Sequence, residues 1–167
     1  GDEVFLVTGI GQYPNLGVTD AFVCVSYGDK QYTVRASREL GGDRLDTTVG
    51  PFRIEVIEGL KKLRLVLDDN EWGVGFDVTW DGAHEALLEP RSFKKSFNRT
   101  TMDNSRYAQV GNYSGTLEVA GKSFDVRPDA WKGARDRSWG IRAVGEPEPP
   151  GIRVKEERMA GFFHNWM

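Results

Sequence analysis

The sequence predicts an all-β protein of antiparallel strands, and three observations support this prediction. Apolar and polar residues alternate with a period of two in segment after segment, which is typical of strands with one buried face. Two-residue turn signals separate several of these runs. Helical periodicity is nearly absent, since only His84–Leu88 resembles a single helical turn and Pro90 follows it. Such a chain is expected to form an antiparallel sandwich or barrel.

Three two-residue turns predict β-hairpins. A glycine in such a turn accepts the positive φ that matches the twist of the flanking strands. The turns are Gly28-Asp29, Asp81-Gly82 after the run 74–80, and Ala120-Gly121 between the runs 115–119 and 122–126. Alternation predicts further strands at Val4–Thr8, 22–27, 32–36, Phe52–Ile57, Leu63–Asp68, Ser92–Asn98, Tyr107–Val110 and Trp139–Val144.

Other glycine-rich, acidic and proline-rich stretches are interpreted as turns and connections. Gly9-Ile10-Gly11 lacks the helix that a phosphate-binding loop requires, and Pro14-Asn15 predicts a turn there. The stretch 68–71 (Asp-Asp-Asn-Glu) lacks the spacing of a calcium loop and is interpreted as an acidic turn. The proline-rich stretch 145–151 predicts an extended connection or a domain seam.

Composition and charge exclude several classes of function. The 22 Lys and Arg residues are outnumbered by 25 Asp and Glu, a net charge of −3, so we expect no nucleic-acid partner. No apolar stretch approaches the roughly 20 residues that span a membrane. The lone cysteine, Cys24, has no disulfide partner, which favours a reducing, cytoplasmic location. Cys24, His84 and His164 are too few and too scattered for a zinc site, and we expect no cofactor.

The domain organisation leaves two alternatives. Residues 1–90 are interpreted as the end of a first β domain or as a first sheet, and 91–167 as the start of a second β domain. The alternative is a single compact unit over 1–167, which suits a chain of 167 residues. Because the chain opens at Gly1 and ends in the apolar run 162–167, we expect it to be a segment of a longer protein.

The segment 131–142 concentrates charge and aromatic surface beside an alternating run. It contains Trp131, Trp139, Asp136 and the three arginines 135, 137 and 142. Arg137 and Trp139 share a face of a strand, and an arginine facing a core needs a carboxylate, for which Asp136 or Asp77 is available. The segment is therefore either an arginine–carboxylate staple under a tryptophan or a polar corner at the mouth of an apolar cavity.

The stretch 133–140 (Gly-Ala-Arg-Asp-Arg-Ser-Trp-Gly) resembles a signature of the AttH-like, lipocalin-related superfamily, which includes carotenoid hydratase (hydroxyneurosporene synthase). Further stretches are similar to bacterial members of that group: 49–53, 65–71, 76–80, 107–111 and 135–142. The resemblance implies a pair of lipocalin-like antiparallel barrels in the full protein, with this chain as the central part.

The resemblance also implies a function, namely binding of a bulky apolar molecule such as a terpenoid, carotenoid or steroid, with or without acid-catalysed hydration or isomerisation. An alkene-protonating acid would be Asp136, beside Arg135. The remaining candidate ligand-binding residues are Arg137, Arg142, Trp139, Trp131, Trp80, Tyr107 and Asp77. The hydratase-like branch often has a histidine where this chain has Arg137, a permanent cation that disfavours a neighbouring carbocation. The alternatives are a non-catalytic carrier for apolar ligands and a structural β module with protein partners, and the oligomeric state stays open.

Overall fold

A computed structural model describes residues 4–96 and 98–142, which form strands and loops without a helix. The strands are β1 (Val4–Tyr13), β2 (Val18–Tyr27), β3 (Lys30–Glu39), β4 (Phe52–Glu58), β5 (Lys62–Leu67), β6 (Val74–Gly82), β7 (Leu87–Leu88), β8 (Ser92–Ser96), β9 (Arg99–Val119), β10 (Lys122–Val126) and β11 (Lys132–Ile141). The prediction of an all-β chain is confirmed.

The strands pair antiparallel in two sheets. The first sheet has the order β1-β2-β3, and the second has the order β10-β9-β6-β5-β4, with β7, β8 and β11 also paired to β9. Over residues 4–96 and 98–142 neither order closes into a barrel, so of the two predicted architectures the sandwich-like one is observed.

Contact clustering divides the chain into two units. The first contains the described residues up to Leu88 together with Tyr107–Arg137, and the second contains Glu89–Arg106 and the described residues from Ser138 onward. The first unit thus takes residues from both sides of the boundary predicted at 90.

The core of the first unit follows from the predicted alternation. Val23 and Val25 of β2 have no exposed surface, and Phe76, Trp80 and Leu117 of β6 and β9 are buried in the same apolar cluster. On β6 the outward positions between them, Asp77 and Thr79, are polar. Burial of one face of each sheet against this cluster is the main stabilising contribution that such a fold has available.

Two of the three predicted hairpins are confirmed. Gly28-Asp29 joins β2 to β3, and Ala120-Gly121 joins β9 to β10. Gly28 and Gly121 have φ angles of 62° and 75°, in the left-handed region that glycine adopts without strain. The turn at Pro14-Asn15 is also confirmed.

The hairpin predicted at Asp81-Gly82 is wrong, because β6 continues through both residues. Asp81 pairs with Asn112 and Gly82 with Gly111 of β9, and the Gly82 amide donates to the Lys61 carbonyl at 2.8 Å. A glycine that lets another strand approach closely gives the same sequence signal as a glycine that makes a turn. Single-sequence reasoning does not separate the two.

Two other stretches differ in detail from the sequence pattern. The segment 84–88 forms no helical turn; it makes a bend followed by β7, whose Leu87 and Leu88 pair with Ala108 and Tyr107. The strand predicted at 107–110 is the middle of β9, which runs from Arg99 to Val119. Polar residues at both faces of its first half hide the alternation on which the prediction depended. The predicted connection 145–151 lies outside the described residues.

The acidic stretch after β5 is a loop, as predicted. The Asn70 side-chain amide donates to the carbonyl oxygens of Asp68 and Val74 at 2.8 and 2.7 Å, and its oxygen accepts from the Trp72 amide at 3.0 Å. These bonds show that the Asn70 side chain shapes the loop. The part of the chain that the structure describes contains no cluster of three or more His, Cys, Asp or Glu side chains suited to a metal.

Candidate functional site

The side chains of residues 131–136, at the start of β11, project alternately to a partly buried face and an exposed face. Trp131, Gly133 and Arg135 alternate as partly buried positions, whereas Lys132, Ala134 and Asp136 between them are exposed. Since neighbouring residues of a strand project to opposite faces, the side chains of Arg135 and Asp136 leave the strand in opposite directions. Only the Arg135 side is turned toward the packed face of the first unit.

A buried glutamine holds the guanidinium of Arg135. Gln109 of β9 is 5% exposed, and its Oε1 accepts hydrogen bonds from Arg135 Nε at 3.1 Å and Nη2 at 2.9 Å. The Gln109 Nε2 donates to the carbonyl oxygens of Leu60 and His84, at 2.9 and 2.5 Å. Both ends of the amide are therefore bonded, which fixes its oxygen toward the arginine.

Two aromatic rings complete this group of side chains. The Arg135 Cζ lies 4.4 Å from the centroid of the Trp80 ring and 5.5 Å from that of Tyr107, distances typical of cation–π contacts. Trp80 is 1% exposed and belongs to the core, whereas Tyr107 and Arg135 are only partly buried. We call Arg135, Gln109, Trp80 and Tyr107 the Arg135 corner.

Glycines make room for the corner on the strands beside it. A Cβ added at Gly111 would lie 2.5 Å from Trp80 Cε2, and one added at Gly82 would lie 2.5 Å from Gln109 Nε2. Neither distance is compatible with normal packing, so a larger residue at either position would displace the indole or the amide. The pair Gly82 and Gly111, which face each other in the β6–β9 ladder, is therefore part of the site.

The charge of Arg135 has no carboxylate partner in the protein as described. Among residues 4–96 and 98–142, no Asp or Glu oxygen lies within 4.0 Å of its guanidinium, and its hydrogen-bond acceptor is the neutral Gln109. The cation acts on its surroundings. Burial raises the pKa of Tyr113, and the charge of Arg135 offsets part of that rise. A partly buried cation beside neutral groups is a position where an anion is stabilised.

Comparison with known proteins gives a family for the chain. A model of a family of unknown function, DUF8625, matches residues 1–167. The chain belongs to this family. No curated protein and no solved structure matches it.

The other candidate residues predicted from the sequence are not members of the Arg135 corner. Asp77 projects from the opposite face of β6, where its two carboxylate oxygens accept from Arg64 Nε at 2.8 Å and Nη2 at 2.6 Å. It is therefore engaged by Arg64 rather than by Arg137. Asp136 and Arg137 are exposed, and within the described ranges neither forms an ion pair.

Trp131 packs partly buried against the core of the first unit. Trp139 and Arg142 are exposed and belong to the second unit. Of the residues expected from the sequence, the structure thus brings together Arg135, Trp80 and Tyr107.

Gln109 and Tyr113 were not expected from the sequence. A usable signal exists, because Tyr107, Gln109, Gly111 and Tyr113 are spaced by two and share one face of β9. A glutamine at an inward position between aromatic residues needs hydrogen-bond partners for its amide. The identity of those partners is not visible in the sequence.

In the segments described, no helix is long and apolar enough to cross a membrane.

Proposed function

We propose that this chain binds a bulky apolar small molecule, with the polar end of that molecule at the Arg135 corner. The observation that supports the proposal is the state of Arg135, a partly buried guanidinium held by a buried neutral amide and flanked by aromatic rings. Ligand sites typically combine apolar and aromatic surface with a few fixed polar groups. A terpenoid, carotenoid or steroid derivative has the corresponding chemistry.

The geometry supports orientation of a ligand at this site. Gln109 cannot rotate without breaking its bonds to two backbone carbonyls, so the guanidinium that it holds is preorganised. Preorganised donors lose little conformational freedom when a ligand binds, which improves affinity. Trp80 supports the arginine from within the core, and the partly buried Tyr107 and Arg135 supply the surface that a ligand would contact.

Binding is favoured over catalysis by the position of Asp136. An acid-catalysed hydration or isomerisation needs a proton donor within hydrogen-bond reach of the substrate, in a site from which water is excluded. Asp136 is exposed and projects away from the face that carries Arg135. We therefore propose a carrier or accessory binding role, with the substrate chemistry of the AttH-like group as the alternative that requires Asp136.

Two measurements test the binding proposal. Mass spectrometry of an organic extract of the purified protein should reveal a co-purifying apolar compound. Titration with the neutral probe 1-N-phenylnaphthylamine should give saturable fluorescence enhancement that Tyr107→Ala weakens and Val110→Ala, at an exposed position of the same strand, does not. An empty extract together with no saturable enhancement would refute the proposal.

Turnover is tested separately with Asp136→Asn. On the binding proposal this variant keeps the affinity of the wild-type protein for the probe, because Asp136 lies on the other face of β11. A variant that binds normally but no longer converts a co-purified compound would support the catalytic alternative instead.

A further inference from the structure

We infer that the polar end of the ligand is a carboxylate bound by the guanidinium of Arg135, an inference that rests on the proposed function. Three features of the corner support the inference: the unused hydrogen-bond donors of Arg135, its uncompensated charge and the identity of residue 109. Each of these comes from the described part of the first unit.

Most of the donors of Arg135 have no acceptor in the protein. A guanidinium has five N–H groups in a planar fork, and Arg135 uses only Nε and Nη2 toward Gln109. Within residues 4–96 and 98–142, Nη1 donates to no protein atom. The Nη1 and Nη2 edge of a guanidinium matches the two oxygens of a carboxylate, which makes paired, charge-assisted hydrogen bonds there.

Residue 109 holds the arginine without neutralising it. Because the carbonyls of Leu60 and His84 both accept from Nε2, this position requires an NH₂ group, which glutamine has and glutamate lacks. The residue that orients Arg135 is therefore neutral, and a partly buried positive charge persists. A buried or partly buried charge is stable when it is paired, and a ligand anion would supply the pair.

A single negative charge fits the site better than a multiply charged group. A single negative charge matches the single guanidinium of the corner, whose cation–π contacts run to Trp80 and Tyr107. A fatty acid or an oxidised terpenoid would place its carboxylate on Arg135 and its hydrocarbon part along Tyr107. The expected ligand class is thus an amphiphilic carboxylic acid.

The test compares cis-parinaric acid with its methyl ester, which has the same chain without the charge. Fluorescence titrations of the wild-type protein should give tighter binding of the acid by about 10- to 100-fold, the range for hydrogen bonds to a charged group. Arg135→Gln should weaken the acid to the level of the ester and leave the ester unchanged. Arg137→Gln, an exposed arginine on the same strand, is the matched control and should behave as the wild type.

Two further variants keep the inference falsifiable if Arg135→Gln fails to fold. Arg135→Lys retains the charge without the planar fork and should keep part of the preference for the acid. Gln109→Glu places a carboxylate against the guanidinium and should abolish that preference by competing with the ligand. A Gln109→Glu protein that still prefers the acid would contradict a role for Arg135 in binding the anion.

The outcomes separate this inference from the proposed function. Equal binding of acid and ester by the folded wild-type protein overturns the carboxylate assignment and leaves apolar binding in place. If neither probe binds, apolar binding fails, and thermal unfolding with sodium octanoate decides the anion site on its own. A rise in Tm in the wild type that Arg135→Gln lacks supports the anion site, whereas the same response in both proteins overturns it.

Discussion

Replacement of Gln109 by leucine tests whether the Arg135 corner is an organised part of the fold. The substitution keeps the size of the side chain but removes an amide that donates at 2.9 and 2.5 Å to two backbone carbonyls and accepts from Arg135 at 3.1 and 2.9 Å. Ordinary hydrogen bonds contribute about 0.5–1.5 kcal/mol each, and hydrogen bonds to a charged group contribute about 1.5–3 kcal/mol.

The buried leucine offsets part of this loss. Burial of its side chain stabilises the folded state by about 1.5–3 kcal/mol. We therefore expect Gln109→Leu to lower the free energy of unfolding by about 4 kcal/mol net, because the carbonyls and the guanidinium lose their partner. For a chain of this size, that corresponds to a decrease in Tm of about 8–16 °C.

Urea unfolding followed by far-UV circular dichroism measures the change. The control is Val110→Ala, because Val110 is the next residue of β9 and is exposed, and its substitution should change the free energy of unfolding by less than about 0.5 kcal/mol. An m-value equal to that of the wild type would show that the two proteins unfold over the same surface. If Gln109→Leu matches the control, the amide does not organise the corner and the argument for a preorganised arginine fails.

Three other predictions address the surroundings of the corner and the outer face of the second sheet. Burial raises the pKa of Tyr113 above its ordinary 10.0, so stability that is complete below pH 10 should fall as the pH rises through the folded-state value. Tyr113→Phe should remove this alkaline loss in urea titrations between pH 8 and 11.5. The hydrogen bonds from Arg64 hold the pKa of Asp77 below its ordinary 3.8, so their contribution is present above that pH and is lost as the pH falls below it. Asp77→Asn should therefore show a weaker dependence of stability on pH in this acidic window, and equal slopes for the two proteins would contradict the ion pair. Gly111→Ala should destabilise the fold by about 1–3 kcal/mol, because its Cβ would overlap the Trp80 ring, and a blue or red shift of tryptophan emission should accompany the change.

The alternation of side chains predicted the strands whose inner face is continuously apolar. In β2 and β6 every second position, on the inner face, is buried, and the two strands contain the predicted runs 22–27 and 74–80, although β2 begins at Val18 and β6 continues to Gly82. The first half of β9 was not predicted, because its residues are polar on both faces and its place in the sheet is determined by β8 and β11. Tertiary pairing overrides local pattern in such a strand.

The candidate site was predictable in its chemistry and not in its geometry. The concentration of arginine and tryptophan pointed to the segment 131–142, but the argument from alternation placed Arg137 toward the core, whereas the structure has Arg135 partly buried and Arg137 exposed. Its actual hydrogen-bond partner was not predictable, since Gln109 binds carbonyls 49 and 25 residues away in the chain. Likewise, the partner of Asp77 is Arg64 on the neighbouring strand β5, and not Arg137.

The two sequence interpretations of the arginine-rich segment, a structural staple and a polar corner, lead to different partners for an arginine that faces the core, which in the structure is Arg135. A staple serves stability best when a carboxylate neutralises the guanidinium, because a partly buried charge is otherwise costly. The observed partner is the amide of Gln109, which orients Arg135 over Trp80 and leaves its charge uncompensated. A fold that needed only the staple would gain stability from an acid beside Arg135. However, Asp136 projects from the other face of β11, and Asp77 and Asp81 of β6 pair with Arg64 and Lys62. The geometry therefore favours a site that keeps its cation available for an anion from outside the chain.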